Sequence, residues 1–410
     1  MKSKIFDEKN RIFSYIDPIY KKINFSKDYW VWDLVFSKEL IRLQNIFQLG
    51  LSFKVFPTAT HTRFTHSIGT FKIAQDFANH FENQISNEER KLFLVAALLH
   101  DLGHGPFSHV FESISNIKHE LLTSEIILDK TTDIHKKLLE INVDPNKLVA
   151  IYQGKYYKKW IGRMISSNLD VDRIDYLLRD SYYIGTRYST IDVDFLIERS
   201  FLHGDDIYFS EKALNVIESF LLGRYYMHQD IYNNKKTYTF EWSLNNIFIR
   251  LREIKEKFNY YKDKIYYYEY YKYFVERNKR IPLNIYLLLN DANLSSFISS
   301  LKVLNDEIIN SFLKYFFDYE GIETLTFTEE NFKIIEKEIS NSKYDAKYLI
   351  TIFVNENKKI YYDGEKNSVN ILDKSNKKIY KFPFNQFLFY KQKNGKQKNK
   401  TILINKILIS

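Results

Sequence analysis

The chain has 410 residues, with 60 lysines and arginines against 51 aspartates and glutamates, a formal net charge of +9. Hydrophobic residues make up 45% of it, enough for a large core. There is no cysteine, which excludes disulfides and thiolate metal ligands and fits a reducing compartment. The first residues lack the apolar stretch of a signal peptide, and no run approaches the roughly 20 apolar residues of a membrane helix. A cytoplasmic protein with no membrane segment is expected.

Helical patterns dominate the first two thirds of the sequence, after a start of short strands and loops over residues 1–35. An all-α body is predicted from residue 61 to about 270, because apolar residues recur there at helical spacing. In this part of the chain, the helix before Asp101 is expected to begin at Asn87 as its cap. The predicted helices cover residues 38–49, 61–82, 87–100, 107–129, 134–152, 163–180, 192–200, 211–232 and 242–271.

The last part of the sequence changes to short β-branched runs after about residue 340. Strands are predicted over 348–355, 359–362, 369–372 and 378–384, followed by a hairpin around Asn394-Gly395. We therefore predict a mainly α fold, with a helical catalytic domain over residues 1–275 and a smaller α+β domain over 276–410.

A lysine-rich run over residues 391–400 bears on possible partners. It is explained either by contact with nucleic acid or by a solvated hairpin tip, and the solvated tip is favoured. The net charge of +9 does not decide for nucleic acid, because lysine, asparagine and isoleucine are abundant throughout the sequence. The charge is compatible with an anionic substrate such as a nucleotide.

The strongest chemical signal is the pair His100 and Asp101, at the end of an apolar run over residues 92–99. Burying such a pair without a partner is costly, so the sequence predicts a metal ion there. Seven of the ten histidines fall between His61 and His119, which also favours a site. His61 itself is expected to be a helix cap or a surface group.

Two distant residues, His66 and Asp172, complete a mixed imidazole and carboxylate shell with the His-Asp pair. Such a shell suits Mn, Fe, Ni, Zn or Mg and leaves positions open for water and substrate. A divalent ion in it would lower the pKa of a bound water and polarise a phosphoryl oxygen.

Three ordered motifs carry a resemblance to a known family. They are Arg-Phe-Thr-His-Ser at 63–67, His-Asp-Leu-Gly-His-Gly-Pro-Phe-Ser-His at 100–109 and Asp-Arg-Ile-Asp-Tyr-Leu-Leu-Arg-Asp at 172–180. Over residues 12–240 the chain resembles the HD-domain phosphohydrolases, and most closely the branch of deoxynucleoside triphosphate triphosphohydrolases. The resemblance implies an all-helical HD core and hydrolysis of a dNTP to a deoxynucleoside and intact triphosphate.

The resemblance also implies roles for individual residues. The metal ligands would be His66, His100, Asp101 and Asp172. The catalytic group would be His104, His109 and His119, with Glu112 either orienting a catalytic histidine or serving as an ordinary helix carboxylate. The substrate would contact Gln48, Leu49, Arg63, Arg173, Tyr176, Asp180, Arg224, His228 and Tyr232, with Tyr232 excluding a 2′-hydroxyl.

Members of this branch assemble into oligomers and some respond to nucleotide activators, so a homo-oligomer is implied. Gln44 and Phe36 stand where activator-binding residues are expected, which speaks against a GTP-type activator and leaves another activator or none. Two alternatives stay open beside the dNTP reaction. One is an HD enzyme acting on another nucleotide, such as a monophosphate or signalling nucleotide; the other is a nucleotide sensor or nucleic-acid-binding protein with little turnover.

Overall fold

The fold comes from a computed structural model that describes residues 14–277, 280–354, 369–373, 378–382 and 400–409. The predicted strand over 359–362, the predicted hairpin at Asn394-Gly395 and the lysine-rich run up to residue 399 lie outside these residues. Within them, no helix is both long enough and apolar enough to cross a bilayer.

Helices form most of the described chain, which confirms the mainly α prediction. They are α1 (Trp32–Val35), α2 (Lys38–Ile41), α3 (Arg63–His80), α4 (Asn87–Leu99), α5 (His109–Ser115), α6 (His119–Leu128), α7 (Asp133–Glu140), α8 (Pro145–Tyr152), α9 (Lys159–Ile165), α10 (Val171–Ile184), α11 (Val193–Glu198), α12 (Leu214–Met227), α13 (Lys235–Glu253), α14 (Lys255–Tyr260), α15 (Tyr268–Glu276), α16 (Leu283–Tyr286), α17 (Asp291–Ser300), α18 (Glu307–Asp318), α19 (Glu329–Ser340), α20 (Ala346–Leu349) and α21 (Lys406–Ile409).

The described strands form three small sheets. An antiparallel hairpin pairs β1 and β2, a second sheet has the order β3-β4-β7-β8 with β4 parallel to β7, and a third has the order β5-β9-β6. The strands are β1 (Ser14–Asp17), β2 (Lys21–Asn24), β3 (Ser200–His203), β4 (Asp206–Ser210), β5 (Ile322–Thr326), β6 (Ile350–Val354), β7 (Asn370–Asp373), β8 (Lys378–Lys381) and β9 (Lys400–Asn405).

Several long helices of the sequence prediction are broken in the structure. The predicted helix over 38–49 is α-helical only to Ile41 and continues as a 3₁₀ turn, Arg42–Asn45, because the N–H of Phe47 bonds to a distant carboxylate at 2.8 Å. The predicted helix over 107–129 is interrupted at Asn116, which adopts φ +57° and ends α5. The hairpin of β3 and β4 was not predicted.

Helix α4 is the central element of the helical body. Its cap is Ser86 rather than the predicted Asn87: the Ser86 hydroxyl accepts from the N–H of Glu89, and the Glu89 carboxylate accepts from the N–H of Ser86. All eight residues from Leu92 to Leu99 are buried, because α4 packs against α3, α8 and α9. This packing fixes the position of His100 at the end of the helix.

Two large apolar clusters form the core. One is built on α3, α4 and α10; the other runs from Phe240 to Leu408 and also contains Leu51 and Phe107. The turn after α4 therefore lies where the clusters meet. Because Phe107 packs with residues beyond 276, the domain boundary at 275/276 stays a prediction.

Candidate functional site

Three helices bring the four predicted metal ligands together. His66 lies in the first turns of α3, His100 and Asp101 follow α4, and Asp172 lies in the first turn of α10. The Nε2 atom of His66 is 3.2 Å from Nε2 of His100 and 3.1 Å from Oδ1 of Asp172. Asp172 Oδ1 is also 3.5 Å from His100 Nε2, and Asp101 Oδ1 is 3.4 Å from it on the other side.

The two histidines are held with their Nε2 atoms facing the carboxylates of Asp101 and Asp172. Nδ1 of His100 donates to the carbonyl of Ala97 at 2.8 Å, and Nδ1 of His66 bonds to Asp175 Oδ2 at 2.8 Å. A ring whose Nδ1 carries the proton offers the Nε2 lone pair as a ligand. The donor set therefore fits a divalent metal ion, and the imidazole and carboxylate mixture suits several of them.

The electrostatics of this group also favour a cation. Burial lowers the pKa of His66, but hydrogen bonds to Asp172 and Asp175 outweigh burial and bring the pKa to about 10. The histidine pair in turn holds the pKa of Asp172 below its ordinary value, although burial opposes this. The surrounding carboxylates thus retain a proton on His66 when no metal is bound.

A hydrogen-bonded network behind His66 was not recognised in the sequence. The guanidinium of Arg179 donates to both oxygens of Asp175 at 2.9 Å and to Asp17 at 2.8 Å. Tyr20 donates its hydroxyl to Asp175 at 2.8 Å. The network joins the β1–β2 hairpin to His66, a predicted metal ligand. Its only sequence signal is the spacing of Asp175 and Arg179, one helical turn apart.

The three predicted catalytic histidines form a second group beside the first. The rings of His104 and His119 stack at 3.8 Å, and His109 packs edge-on against both. Glu112 Oε1 is 2.5 Å from Nδ1 of His119 and 3.1 Å from Nδ1 of His109. Glu112 thus contacts two of the histidines, as a residue that orients a catalytic histidine must. The orienting role itself stays a prediction.

His104 is buried and lies between the two groups. Its Nε2 is 3.3 Å from Asp101 Oδ1, and its Nδ1 has no hydrogen-bond partner among the described residues. Burial, with the positive charges of Arg63 and His119, holds the pKa of His104 well below its ordinary value. His104 is therefore neutral in the chain without substrate.

One cavity of about 540 Å³ connects both groups. Arg63 enters it between them, paired with Asp101 and donating to Ser108 Oγ at 2.8 Å. Three predicted residues do not line it: His66 and Glu112 lie behind the wall, and Arg224 is buried next to Tyr176 and His228. The predicted residues that line it are Gln48, Leu49, Arg63, His100, Asp101, His104, His109, His119, Asp172, Arg173, Tyr176, Asp180, His228 and Tyr232.

The wall formed by Asp180 and Tyr232 is rigid. The Tyr232 hydroxyl donates to Asp180 Oδ2 at 2.7 Å, and His61 Nε2 lies 2.7 Å from Asp180 Oδ1. His61 is 3% exposed, so the expectation of a cap or surface group is wrong. The bond from the N–H of Gln48 to the His61 carbonyl at 2.9 Å holds this residue inside the fold.

Asp291, from the C-terminal part of the chain, holds the turn that carries His104 and His109, two of the predicted catalytic histidines. Its two oxygens accept the N–H groups of Phe107 at 2.7 Å and Phe47 at 2.8 Å. Burial raises the pKa of Asp291 to about 7, against the lowering effect of these bonds. Nothing in the sequence distinguishes this aspartate from others, because its partners lie 184 and 244 residues away in the chain.

Arg42 holds the same turn from the other side. Its guanidinium donates to the carbonyls of Leu102 at 2.7 Å and His104 at 2.8 Å. The same guanidinium lies over the aromatic ring of Tyr286. The Tyr286 hydroxyl donates to the Gly103 carbonyl at 2.8 Å. Gly103 leaves no room for a side chain, since a Cβ there would lie 2.0 Å from the His119 carbonyl.

Comparison with known sequences agrees with this site. A family model described as the HD domain matches residues 63–180. An uncharacterized protein of Mycoplasma pneumoniae is 34% identical over 390 residues, covering 88% of this chain and 91% of that protein. A Dictyostelium discoideum protein named deoxynucleoside triphosphate triphosphohydrolase SAMHD1 homolog is 33% identical over 238 residues, which are 53% of this chain and 46% of that protein.

Comparison with solved structures shows the same fold. A phosphohydrolase from Bacteroides thetaiotaomicron superimposes with a TM-score of 0.79 at 24% identity, over 96% of this chain and 99% of that one. The match therefore extends beyond the helical body into the C-terminal part. Together with the metal-binding His and Asp groups, these likenesses place the chain in the HD-domain family of metal-dependent phosphohydrolases.

Proposed function

We propose that this chain hydrolyses deoxynucleoside triphosphates to a deoxynucleoside and inorganic triphosphate. One observation carries the proposal: a single cavity is lined by three of the four predicted metal ligands, by the three histidines of the second group and by the hydrogen-bonded wall of Asp180 and Tyr232. The negative charges of a triphosphate are stabilised by cationic groups, and a deoxyribose is bound by a closely packed wall that carries polar groups. The name of the Dictyostelium relative supports the same substrate.

The phosphate end of the cavity is defined by two arginines beside the metal ligands. Arg63 is paired with Asp101, and Arg173 is paired with Asp170. Guanidinium groups bind phosphate oxygens with directed pairs of hydrogen bonds. A bound divalent ion would supply Lewis-acid polarisation of a phosphoryl oxygen at His66, His100, Asp101 and Asp172.

The reaction breaks the bond between the α-phosphorus and the 5′-oxygen. A water oxygen becomes bonded to that phosphorus, and the 5′-oxygen leaves with a proton. We propose that His104 supplies this proton, since a bound triphosphate brings negative charge that raises the pKa of a nearby imidazole. Glu112 fixes His119 through Nδ1, and His119 stacks on His104, so the proton-transferring ring has a fixed orientation.

The sugar end of the cavity favours deoxyribose. The ring of Tyr232 is held by the bond to Asp180 and by edge-on contacts with Tyr176 at 6.1 Å and His228 at 4.9 Å. A fixed ring cannot move aside for an added 2′-hydroxyl, so steric exclusion selects against ribonucleotides. We assign to Asp180 a second hydrogen bond, accepted from the 3′-hydroxyl beside the one from Tyr232.

A product assay tests this function. Purified protein loaded in turn with Mn, Fe, Ni, Zn or Mg is incubated with each dNTP, and the products are separated by anion exchange. Triphosphate and deoxynucleoside in equal amounts support the proposal. Release of single phosphates instead indicates an HD enzyme with another reaction, and absence of turnover with every metal and added nucleotide indicates a sensor.

We further propose a cytoplasmic homo-oligomer, from the family resemblance. The resemblance implies Asp-Pro-Ile-His-Gly near the start of the chain, among residues that serve the activator, and this chain has Asp17-Pro18-Ile19-Tyr20-Lys21 there. The Tyr20 hydroxyl donates inward to Asp175. This arrangement supports regulation without a GTP-type activator. Light scattering after gel filtration, with and without GTP and dNTPs, measures the mass of the oligomer and its response to nucleotides. An oligomer mass that increases with GTP alone would contradict regulation without a GTP-type activator.

A further inference from the structure

Two polar side chains of α13 line the cavity without a role in the proposed reaction. Thr237 and Glu241 are one helical turn apart, so they lie on one face of the helix. Thr237 is 4% exposed, and its hydroxyl has no hydrogen-bond partner among the described residues. Among those residues the structure also gives the Glu241 carboxyl no ion pair, and burial alone raises its pKa to about 7.

These two residues lie on the side of α13 that faces the site. One turn further along, Asn245 accepts a hydrogen bond from the hydroxyl of Ser113 on α5 at 2.7 Å. On another side of the helix, Phe240 packs against Tyr315 at 4.8 Å. The stripe of Thr237, Glu241 and Asn245 thus runs along the cavity and onto the helix that carries His109.

Helix α13, which carries the pair, packs against the 3₁₀ turn Gly50–Lys54, and this turn directly follows the predicted substrate residues Gln48 and Leu49. Arg173 contributes to the pKa of Tyr176 and of His228, whereas no charged group among the described residues contributes to the pKa of Glu241. A carboxylate near the triphosphate would repel it. The position of Glu241 instead suits an uncharged part of the nucleotide. Since Asp180 and Tyr232 are assigned to the sugar, that part is the base.

A buried hydroxyl without a partner, such as that of Thr237, is costly to keep, since it loses its hydrogen bonds to water. The half-buried carboxyl of Glu241 faces the same cavity and has no ion pair among the described residues. Sites built to bind a polar ligand show this property, because the ligand supplies the missing partners. Because Thr237 and Glu241 are one helical turn apart, they present to the cavity one hydroxyl donor followed by two carboxylate acceptors. This order of donors and acceptors can be compared with the Watson–Crick edge of each base.

We propose that Thr237 and Glu241 recognise a guanine base, so that the substrate is a deoxyguanosine triphosphate. This inference rests on the proposed function. The outer edge of guanine presents the O6 acceptor and then the N1–H and N2–H donors. The Thr237 hydroxyl donates to O6, and the two oxygens of Glu241 accept N1–H and N2–H.

The other bases fit this pattern less well. Adenine presents a donor where guanine has O6 and an acceptor where guanine has N1–H. Thymine places carbonyl oxygens on both sides of its one donor, so one of them faces the carboxylate. Cytosine offers one donor group beside two acceptors. A bidentate pair between a side chain and a base edge typically gives about tenfold or greater discrimination.

The test is a competition among bases. An equimolar mixture of the four dNTPs is hydrolysed to low conversion, and the four deoxynucleosides are quantified together, so that any activator acts equally on all. The wild type is expected to release deoxyguanosine about tenfold faster than the others. Glu241→Gln is expected to remove this preference, because an amide has only one acceptor oxygen.

Two further variants separate recognition from folding. Thr237→Val keeps the shape and removes the hydroxyl, so it should lose part of the guanine preference, and Thr237→Ser should keep it. Glu256→Gln removes an exposed carboxylate outside the cavity and should behave as the wild type. Since Glu241 is unpaired, Glu241→Gln should melt no lower than the wild type.

The outcomes separate this inference from the proposed function. Hydrolysis of all four dNTPs without preference, or a preference that survives Glu241→Gln, overturns the guanine assignment and leaves the reaction standing. If no dNTP is hydrolysed, the proposed function fails, and binding of dGTP and TTP is compared by calorimetry. Tighter dGTP binding that Glu241→Gln abolishes still supports base recognition; equal binding overturns it.

Discussion

The hydroxyl of Tyr232 lies 2.7 Å from Oδ2 of Asp180, and this bond fixes an aromatic ring in the wall of the cavity. His61 holds the other oxygen of Asp180. Both carboxylate oxygens of Asp180 are therefore held by hydrogen bonds within the fold. The rigidity of this wall, more than any single contact, is what the proposed choice of deoxyribose depends on.

Replacing Tyr232 tests the choice of sugar. Tyr232→Ala opens the wall, so the ratio of kcat/KM for ribonucleotides to that for deoxynucleotides should rise by at least about tenfold, because steric exclusion is lost. Tyr232→Phe keeps the ring and loses only the bond to Asp180, so it should retain most of the selectivity. An unchanged ratio in Tyr232→Ala would contradict the role given to the ring.

Asp175 is predicted to act through His66. Asp175→Asn removes the negative charge that holds the proton on Nδ1 of His66 and leaves one acceptor oxygen for His66, Arg179 and Tyr20, so metal affinity should fall about 10- to 100-fold. Calorimetric titration with Mn measures this directly. Asp76→Asn, which removes a carboxylate paired with Lys72 near the surface, is the matched control. Equal metal affinity in the two variants would exclude an orienting role for Asp175.

Metal binding should release a proton. His66 has a pKa of about 10 without metal, so it is protonated at pH 7, and a cation that takes Nε2 must displace that proton. Apparent affinity should therefore rise as the pH increases toward 10. Titrations in two buffers of different ionisation enthalpy count the protons, and about one per metal is expected. Binding without proton release would show that His66 is not a ligand.

Asp291 makes stability depend on pH. Its pKa of about 7 in the fold exceeds the value of an unfolded aspartate, so the folded chain binds more protons between about pH 4 and 7. Its contribution to stability is thus present at low pH and is lost as the pH rises through 7. The loss is at most about 4 kcal/mol.

Asp291→Asn isolates this contribution. The variant keeps one acceptor for the two N–H groups of Phe47 and Phe107, so it should be less stable at pH 5. The difference in unfolding free energy between wild type and variant should shrink from pH 5 to pH 8 in urea titrations. A difference that is constant across this range would rule out the raised pKa.

The sequence was sufficient to predict site residues where the evidence lies in neighbouring residues or in ordered motifs. An apolar helix ending in His100-Asp101 needs only neighbouring residues, and the ordered motifs then supply His66 and Asp172. It was insufficient where a side chain acts across the fold. His61 is hydrogen-bonded to Asp180, which lies 119 residues further along the chain. Asp291 accepts a hydrogen bond from Phe47, which lies 244 residues earlier. The end of the helix predicted over 38–49 was missed for the same reason, since a tertiary hydrogen bond to Phe47 overrides local periodicity there. The cap of α4 was missed although Ser86 and its partner Glu89 are only three residues apart.

The most direct test of the proposed function follows the oxygen of water. Each dNTP is hydrolysed in ¹⁸O-labelled water, and the products are examined by mass spectrometry. Attack at the α-phosphorus predicts one ¹⁸O atom in the inorganic triphosphate and none in the deoxynucleoside. Label in single phosphates with an unlabelled deoxynucleoside diphosphate, or label in the deoxynucleoside, would contradict the proposed reaction.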